Sequence, residues 1–140
     1  MAIRIDLTLD CAQPTPLAAF YKAAFGYEDE PPPAPFTTRA EWVASFPEDP
    51  HDDADDGAWL HDPEGVGPRI FFQQVKQPKV EKVRLHLDFR VAGTGTPQER
   101  WARIRAAAER IEGLGARRLA EFDGHHVVLA DPEGNEFCLG

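Results

Sequence analysis

The sequence predicts an α+β fold made of two copies of one small unit, and two observations support that prediction. The tetrapeptide Asp-Pro-Glu-Gly occurs twice, at residues 62–65 and 131–134, once late in each half of the 140-residue chain. Each copy stands between apolar segments and is typical of a turn, because Asp accepts backbone hydrogen bonds, Pro fixes φ and Gly tolerates positive φ. Hydrophobic patterns also recur in the order strand, helix, strand, strand, strand in each half. We therefore expect one domain over residues 1–140, with modules over about 1–78 and about 79–140.

Composition and charge narrow the functional classes. An apolar share of 42% with nine Phe is enough for a packed interior, and the net charge of −9 argues against nucleic acid as a partner. No segment approaches the roughly 18 apolar residues that span a bilayer, and the start of the chain lacks the pattern of a signal peptide. Cys11 and Cys138 make no disulfide framework. We expect a cytoplasmic protein that binds neither membrane nor nucleic acid.

In the first half, residues 3–10 alternate between apolar and polar side chains and predict a half-buried strand. Thr15 and Pro16 are typical of a helix cap and first helical residue, and Gly26 of a helix end. The apolar stripe of this helix consists of Leu17, Phe20, Tyr21 and Ala24. Residues 31–35 predict an extended connector, and the acidic run 48–56 predicts a solvated loop. Further strands are predicted over 36–46, 58–61 and 68–75.

The second half repeats this order. Residues 82–91 alternate again, and Thr96-Pro97-Gln98-Glu99 is a capping box at the start of a helix. The apolar stripe of that helix consists of Trp101, Ile104, Ala108 and Ile111. Three short strands are then predicted over 117–122, 126–130 and 136–139.

The first strand of each half carries an unusually polar second face, with Asp6 and Thr8 in one half and Arg84, His86 and Asp88 in the other. If the two sheets curl around a shared concavity, these faces line a pocket with convergent polar groups. A sheet with one solvated face explains the same pattern. The pattern leaves both alternatives open.

Two segments resemble the vicinal oxygen chelate superfamily, which includes glyoxalase I, extradiol dioxygenases, fosfomycin-resistance enzymes and bleomycin-resistance proteins. They are the helix end at residues 20–27 and the closing segment at residues 131–139. Residues 84–88 and 136–138 resemble, more narrowly, a glyoxalase-like branch common in actinobacteria. The resemblance implies two βαβββ modules whose mixed sheets curl around a shared cleft, a divalent metal in the cleft of family enzymes, and a homodimer.

The resemblance also points to candidate metal ligands. Family enzymes use His on the first strand and Glu on the last strand of a module, and His86 matches the first of these positions. Asp6 is its counterpart in the first module, while Cys138 stands where the second module would have Glu. A site of His86, Asp6 and Glu136 for Fe, Mn, Zn or Ni requires Glu136 to replace Cys138 across one strand repeat, about 6–7 Å. The ligand set therefore favours a protein without a metal.

Each candidate has a simpler explanation. For His86 it is a pocket histidine that is hydrogen-bonded to Asp88 or Arg84, and a role as general base is a further alternative. For Asp6 it is a structural ion pair with an arginine across the cleft. Cys138 is an inert thiol, and Trp59, with Trp42, belongs to the core or stacks on a flat ligand. His125 and His126 are expected on opposite faces of a strand and so are not joint ligands. 

Two functions follow from these assignments. The first is an enzyme, a lyase, isomerase or dioxygenase acting on an oxygenated metabolite, with His86 and Glu136 as catalytic residues. The second is a metal-free protein of the bleomycin-resistance type that sequesters a drug or metabolite. The predicted residues that contact the small organic ligand are Asp6, Gln73, Arg84, Phe71, Trp59 and Cys138.

Overall fold

The structure, a computed structural model, describes residues 2–45 and 57–140. The chain divides into two compact units, Met1–Pro78 and Lys79–Gly140. Each unit contains one four-stranded mixed sheet, and in both the strands and the main helix follow in the order strand, helix, strand, strand, strand. The predicted α+β fold of two βαβββ modules is confirmed. The acidic run 48–56 lies outside the described residues, and the shared cleft stays a prediction.

Among its residues that the structure describes, the first unit has four strands and two helices. Their bounds are β1 Leu7–Cys11, α1 Pro14–Phe25, β2 Glu28–Asp29, α2 Arg39–Ala44, β3 Ala58–His61 and β4 Ile70–Gln74. The sheet order is β1-β4-β3-β2, with β1 parallel to β4 and the other pairs antiparallel.

The helix α1 packs its apolar stripe against β3 and β4, as the sequence predicts. The Tyr21 ring contacts the Phe72 ring, with 5.5 Å between their centroids. Gly26 ends the helix in the left-handed region at φ 72°, where a side chain would be strained. The start differs from the prediction, because the helix begins at Pro14 and its N-cap is Gln13. A proline fits there because the first helical N–H groups have no partner within the helix.

Two strand predictions in the first unit differ from the structure, one in where the strand begins and the other in the type of element. The strand predicted over residues 3–10 begins only at Leu7, and the Ile3 and Ile5 side chains are 91% and 70% exposed. The β1 strand lies at the sheet edge, and its register with β4 begins at the Leu7–Ile70 pair, so earlier residues have no ladder to join.

The strand predicted over 36–46 is instead the helix α2. Its start is fixed by a capping box, in which the Glu41 N–H donates to Thr38 Oγ1 at 3.1 Å and the Thr38 N–H donates to Glu41 Oε2 at 3.1 Å. The short β2 strand, which pairs with β3, completes the four-stranded sheet.

The second unit has four strands and one helix among the residues described. Their bounds are β5 Leu87–Phe89, α3 Pro97–Glu112, β6 Arg117–Phe122, β7 His126–Ala130 and β8 Glu136–Leu139. The sheet order is β5-β8-β7-β6, with β5 parallel to β8 and the other pairs antiparallel.

Most predictions for the second unit are confirmed. The α3 helix begins with the predicted capping box, and Ile104, Ala108 and Ile111 are buried. Trp101 remains half-buried. The last three strands have the predicted bounds, but the first is much shorter than 82–91. Its partner β8 begins at Glu136 and its register begins at the Leu87–Phe137 pair, so the preceding residues extend beyond the ladder.

Both Asp-Pro-Glu-Gly segments form turns organised by their aspartate. Asp62 accepts the N–H groups of Glu64, Val66 and Gly67, and these bonds lower its pKa. The buried Asp131 accepts the N–H groups of Glu133 and Asn135. The repeated motif is therefore structural. No helix in the described part of the chain is long and apolar enough to cross a membrane.

Candidate functional site

The second sheet presents polar side chains on the face opposite α3, which we call the open face. Along β8, Phe137 and Leu139 are buried, whereas Glu136 and Cys138 alternate with them and are only partly buried. The register places Asp88 of β5 directly beside Cys138. Because neighbouring residues in register share a sheet face, strand alternation brings Asp88 and Cys138 together there.

His86, which directly precedes β5, completes a group of three potential ligands with Asp88 and Cys138. One donor atom from each lies within 4.8 Å of the others. The Cys138 Sγ atom is 3.6 Å from His86 Nδ1, and the Lys82 Nζ atom is 2.6 Å from His86 Nε2. We call these four residues, Lys82, His86, Asp88 and Cys138, the His86 cluster.

The contacts of the His86 cluster determine where its protons lie. A lysine ammonium can only donate, so Nε2 of His86 is the acceptor and Nδ1 of the neutral ring carries the proton. That proton faces the Cys138 sulfur. Burial raises the pKa of the Cys138 thiol, and the adjacent Asp88 carboxylate raises it further, while Lys82 acts in the opposite direction. The cysteine is therefore a protonated thiol at neutral pH.

Glu136 lies on the same face of β8 but is held by other residues. Its carboxylate accepts the Val83 N–H at 3.1 Å and a bond from Lys79 Nζ at 3.2 Å. Burial alone would raise the pKa of Glu136, but these donors and its own N–H stabilise the carboxylate and lower the pKa to about 2. Cys138 lies beside His86, and the metal site of His86, Asp6 and Glu136 stays a prediction. A catalytic role for Glu136 stays a prediction.

Asp6, predicted as the ligand from the first module, takes part in an ion-pair group of that module. Its carboxylate lies 3.1 Å from Arg69 Nη1 and 3.3 Å from Arg4 Nε. Arg69 also binds Glu30 at 2.6 Å. Asp6 therefore pairs with arginines of its own unit, and its pairing with an arginine across the predicted cleft stays a prediction.

The aromatic candidates of the first unit form one group. The Trp59 ring stacks on Phe71 with 4.7 Å between centroids, and Trp42 contacts Trp59 edge-on at 5.3 Å. The Arg39 guanidinium lies 4.6 Å from the centroids of both tryptophan rings, a cation–π arrangement. Gln73 follows Phe71 on the same face of β4 and is half-buried. Their role as ligand contacts stays a prediction, as does that of the exposed Arg84.

A family model described as "Glyoxalase-like domain" matches residues 6–140. The chain belongs to this glyoxalase-like family. No curated protein matches the glyoxalase-like chain significantly. The resemblance to the vicinal oxygen chelate superfamily, on which the fold prediction partly depended, is confirmed.

Solved structures show the same fold. A glyoxalase/bleomycin resistance protein/dioxygenase family enzyme from Burkholderia phytofirmans PsJN is 15% identical with a TM-score of 0.62, covering 98% of this chain and 97% of its own. The fosfomycin resistance protein FosX from Mesorhizobium loti is 11% identical with a TM-score of 0.63, and the match covers 99% of this chain and 91% of FosX. FosX from Listeria monocytogenes, solved with Mn(II) and sulfate, is 15% identical with a TM-score of 0.61, and the match covers 99% of this chain and 91% of that FosX chain. At these identities the similarity shows the fold alone.

The donor atoms of the His86 cluster and their spacing can be compared with those of a metal site. The cluster's nitrogen, oxygen and sulfur donors suit zinc, whose tetrahedral bonds place N and S ligands about 3.5 Å apart, close to the observed 3.6 Å. A metal would bind the Cys138 thiolate and an unprotonated ring nitrogen of His86, and would therefore release the protons that these groups hold in the metal-free protein. The cluster has the donor types and the spacing of a metal site, and without a metal it forms a hydrogen-bonded network.

The sequence analysis missed two features of this module. Lys82 was not a candidate, although the alternation of residues 82–91 places it on the polar face with His86. The expectation that His125 and His126 point to opposite faces is wrong, since their Nδ1 atoms lie 2.5 Å apart. His125 belongs to the turn before β7, where strand alternation does not apply.

Proposed function

We propose that this glyoxalase-like protein binds a small oxygenated organic molecule on the open face of its second sheet, by hydrogen bonds and charge instead of a metal ion. The observation that supports the proposal is the continuous contact from Lys82 through His86 to Cys138 and Asp88. It places an ammonium donor and a carboxylate acceptor on either side of a half-buried imidazole and thiol.

This arrangement suits a ligand with adjacent oxygen atoms. A carbonyl or carboxylate oxygen accepts a bond from the Lys82 ammonium, and a neighbouring hydroxyl group donates to Asp88. When the ligand draws Lys82 away from His86, the Nε2 lone pair becomes available to the ligand. With its Nε2 lone pair free, the His86 imidazole acts as a general base and removes a proton from the ligand, the proton transfer that an isomerase or lyase acting on an oxygenated metabolite requires.

The protonation pattern can be measured directly. In a long-range ¹H–¹⁵N NMR spectrum of the metal-free protein near pH 7.5, we expect His86 to show a protonated Nδ1 and an unprotonated Nε2. Lys82→Met should redistribute the two tautomers, whereas Lys76→Met, outside the cluster, should leave the spectrum unchanged. A protonated Nε2 in the unaltered protein would contradict the proposed network.

A metal-dependent enzyme is the second candidate, favoured by the three donor atoms within 4.8 Å. Calorimetric titration of chelator-treated protein with Mn(II), Fe(II), Ni(II) and Zn(II) separates the two functions. The proposal predicts no stoichiometric binding at micromolar concentrations. One metal per chain with micromolar affinity, lost in His86→Ala and Cys138→Ser but retained in His61→Ala, would overturn the metal-free proposal.

A homodimer and a cytoplasmic location complete the proposal. Both depend on the family resemblance and the composition. Light scattering of the purified protein tests the first, and a mass of one chain would contradict it.

A further inference from the structure

The second unit contains a cavity of about 570 Å³ whose lining does not include Lys82 or His86. It is lined by residues of the first half of α3, of the edge strand β5 and of the turn before β7, and also by Asp88 and Cys138 of the open face. Its size is within the 300–1,000 Å³ typical of small-molecule sites. Asp88 and Cys138 contribute to its wall as well as to the His86 cluster, so the cavity and the cluster are neighbours.

One part of the cavity wall is apolar and aromatic. Phe89, Trp101 and Ile104 line it together with Pro97. Ile104 is buried, whereas Trp101 and Phe89 are half-buried, and the Phe89 ring meets the Phe137 ring edge-on with 5.7 Å between their centroids. The cavity accounts for the incomplete burial of Trp101, which the helical stripe predicted as a core residue. Partly exposed aromatic residues of this kind provide a surface against which a flat ligand can pack.

The other part of the wall is cationic. Arg90 and Arg100 line the cavity and are exposed, and neither guanidinium makes an ion pair with any residue in 2–45 or 57–140. Asp88 is the acidic residue of the lining. Two unpaired arginines beside one cavity are unexpected in a chain with a net charge of −9, where acidic partners are abundant.

The two histidines at the cavity add little to the positive charge of its wall. The Nδ1 atoms of His125 and His126 are 2.5 Å apart, so one must donate to the other and at least one ring is neutral. The positive charge available to a ligand therefore comes mainly from the two arginines.

We propose that this cavity binds a small organic anion, a carboxylate carried on a flat apolar body. The carboxylate binds Arg90 and Arg100, since a guanidinium pairs with a carboxylate through two parallel hydrogen bonds. The apolar body lies against Trp101 and Phe89. The inference requires neither a metal nor His86.

The test is a calorimetric titration with 2-naphthoate, using 2-naphthamide as its uncharged counterpart and acetate as an anion without the apolar body. We expect 2-naphthoate to bind one equivalent per chain and the other two compounds at least about tenfold more weakly. Arg100→Gln and Arg90→Gln should each weaken 2-naphthoate about tenfold and leave 2-naphthamide unchanged. Arg117→Gln removes the same charge from β6, outside the cavity lining, and should change neither.

The outcomes separate this proposal from the function proposed above. Absence of 2-naphthoate binding, equal affinity for the acid and the amide, or equal losses in Arg117→Gln and Arg100→Gln would overturn it. His86→Ala should retain 2-naphthoate binding, so failure of the His86 network leaves this test intact. Loss of binding in His86→Ala with no loss in Arg100→Gln would place the anion at the His86 cluster and refute the cavity site.

Discussion

Replacing Glu136 with Gln tests whether this residue has a structural role. The carboxylate is only 15% exposed and is held by Lys79 and the Val83 N–H, which lower its pKa from 4.5 to about 2. A shift of that size corresponds to about 3 kcal/mol at neutral pH. Because Lys79 is partly in contact with solvent, which screens the pair, we expect Glu136→Gln to lower the free energy of unfolding by about 1–2 kcal/mol at pH 7.

The sign of the pH dependence follows from the lowered pKa. The contribution of Glu136 is fully present above about pH 4.5 and is lost as the pH falls toward about 2. Urea unfolding at pH 7, 5 and 3.5 should therefore show the variant and the unaltered protein converging in acid. Glu109→Gln, at an exposed position of α3, is the matched control. Equal stability of Glu136→Gln and the unaltered protein at pH 7, or a difference that widens in acid, would refute the reasoning.

Two further predictions concern the helix α3 and the thiol of the His86 cluster. Thr96→Ala removes the hydroxyl that accepts the Glu99 N–H at 3.2 Å, so it should lower the free energy of unfolding, measured in urea, by about 1 kcal/mol. The control Thr94→Ala should leave the free energy of unfolding almost unchanged. Equal losses in the two variants would exclude the helix cap as the cause. Because its pKa is raised, the Cys138 thiol should react with iodoacetamide at pH 7 more slowly than free cysteine does. Mass spectrometry of the Cys11→Ser protein measures this rate. A reaction faster than that of free cysteine would show that Cys138 is a thiolate and contradict the prediction.

The sequence predicts the elements that carry their own local signals. The capping box at Thr96 and Glu99, the left-handed Gly26 and the two aspartate turns are each decided by residues close in the chain. Local residues do not decide where the first strands β1 and β5 begin. The alternation extends to Ile3 and Leu85 whether or not a neighbouring strand reaches that far. The length of the partner strand decides those ends. The capping box at Thr38 was a local signal that the analysis missed.

The candidate site was predictable only in part. The sequence analysis names His86 and Cys138 as candidates, but the position of Asp88 beside Cys138 depends on the register of the parallel pair β5 and β8, which no local pattern determines. The contact between Lys82 and His86 arises in an irregular segment, where spacing along the chain does not determine distance. The same limitation explains His125, whose position in a turn brings it to His126.

The parallel pairing in each unit has a consequence for how the chain folds during synthesis. In both units the first strand pairs with the last, through Leu7 with Ile70 and Leu87 with Phe137. Neither first strand can form its ladder until the ribosome has released the final strand of the same unit, and pairing between distant residues is slow. Because Cys138 is on β8, the His86 cluster is assembled only after β8 has left the ribosome. A ribosome-bound chain arrested before Glu136 should therefore lack the complete candidate site even where α3 has already formed.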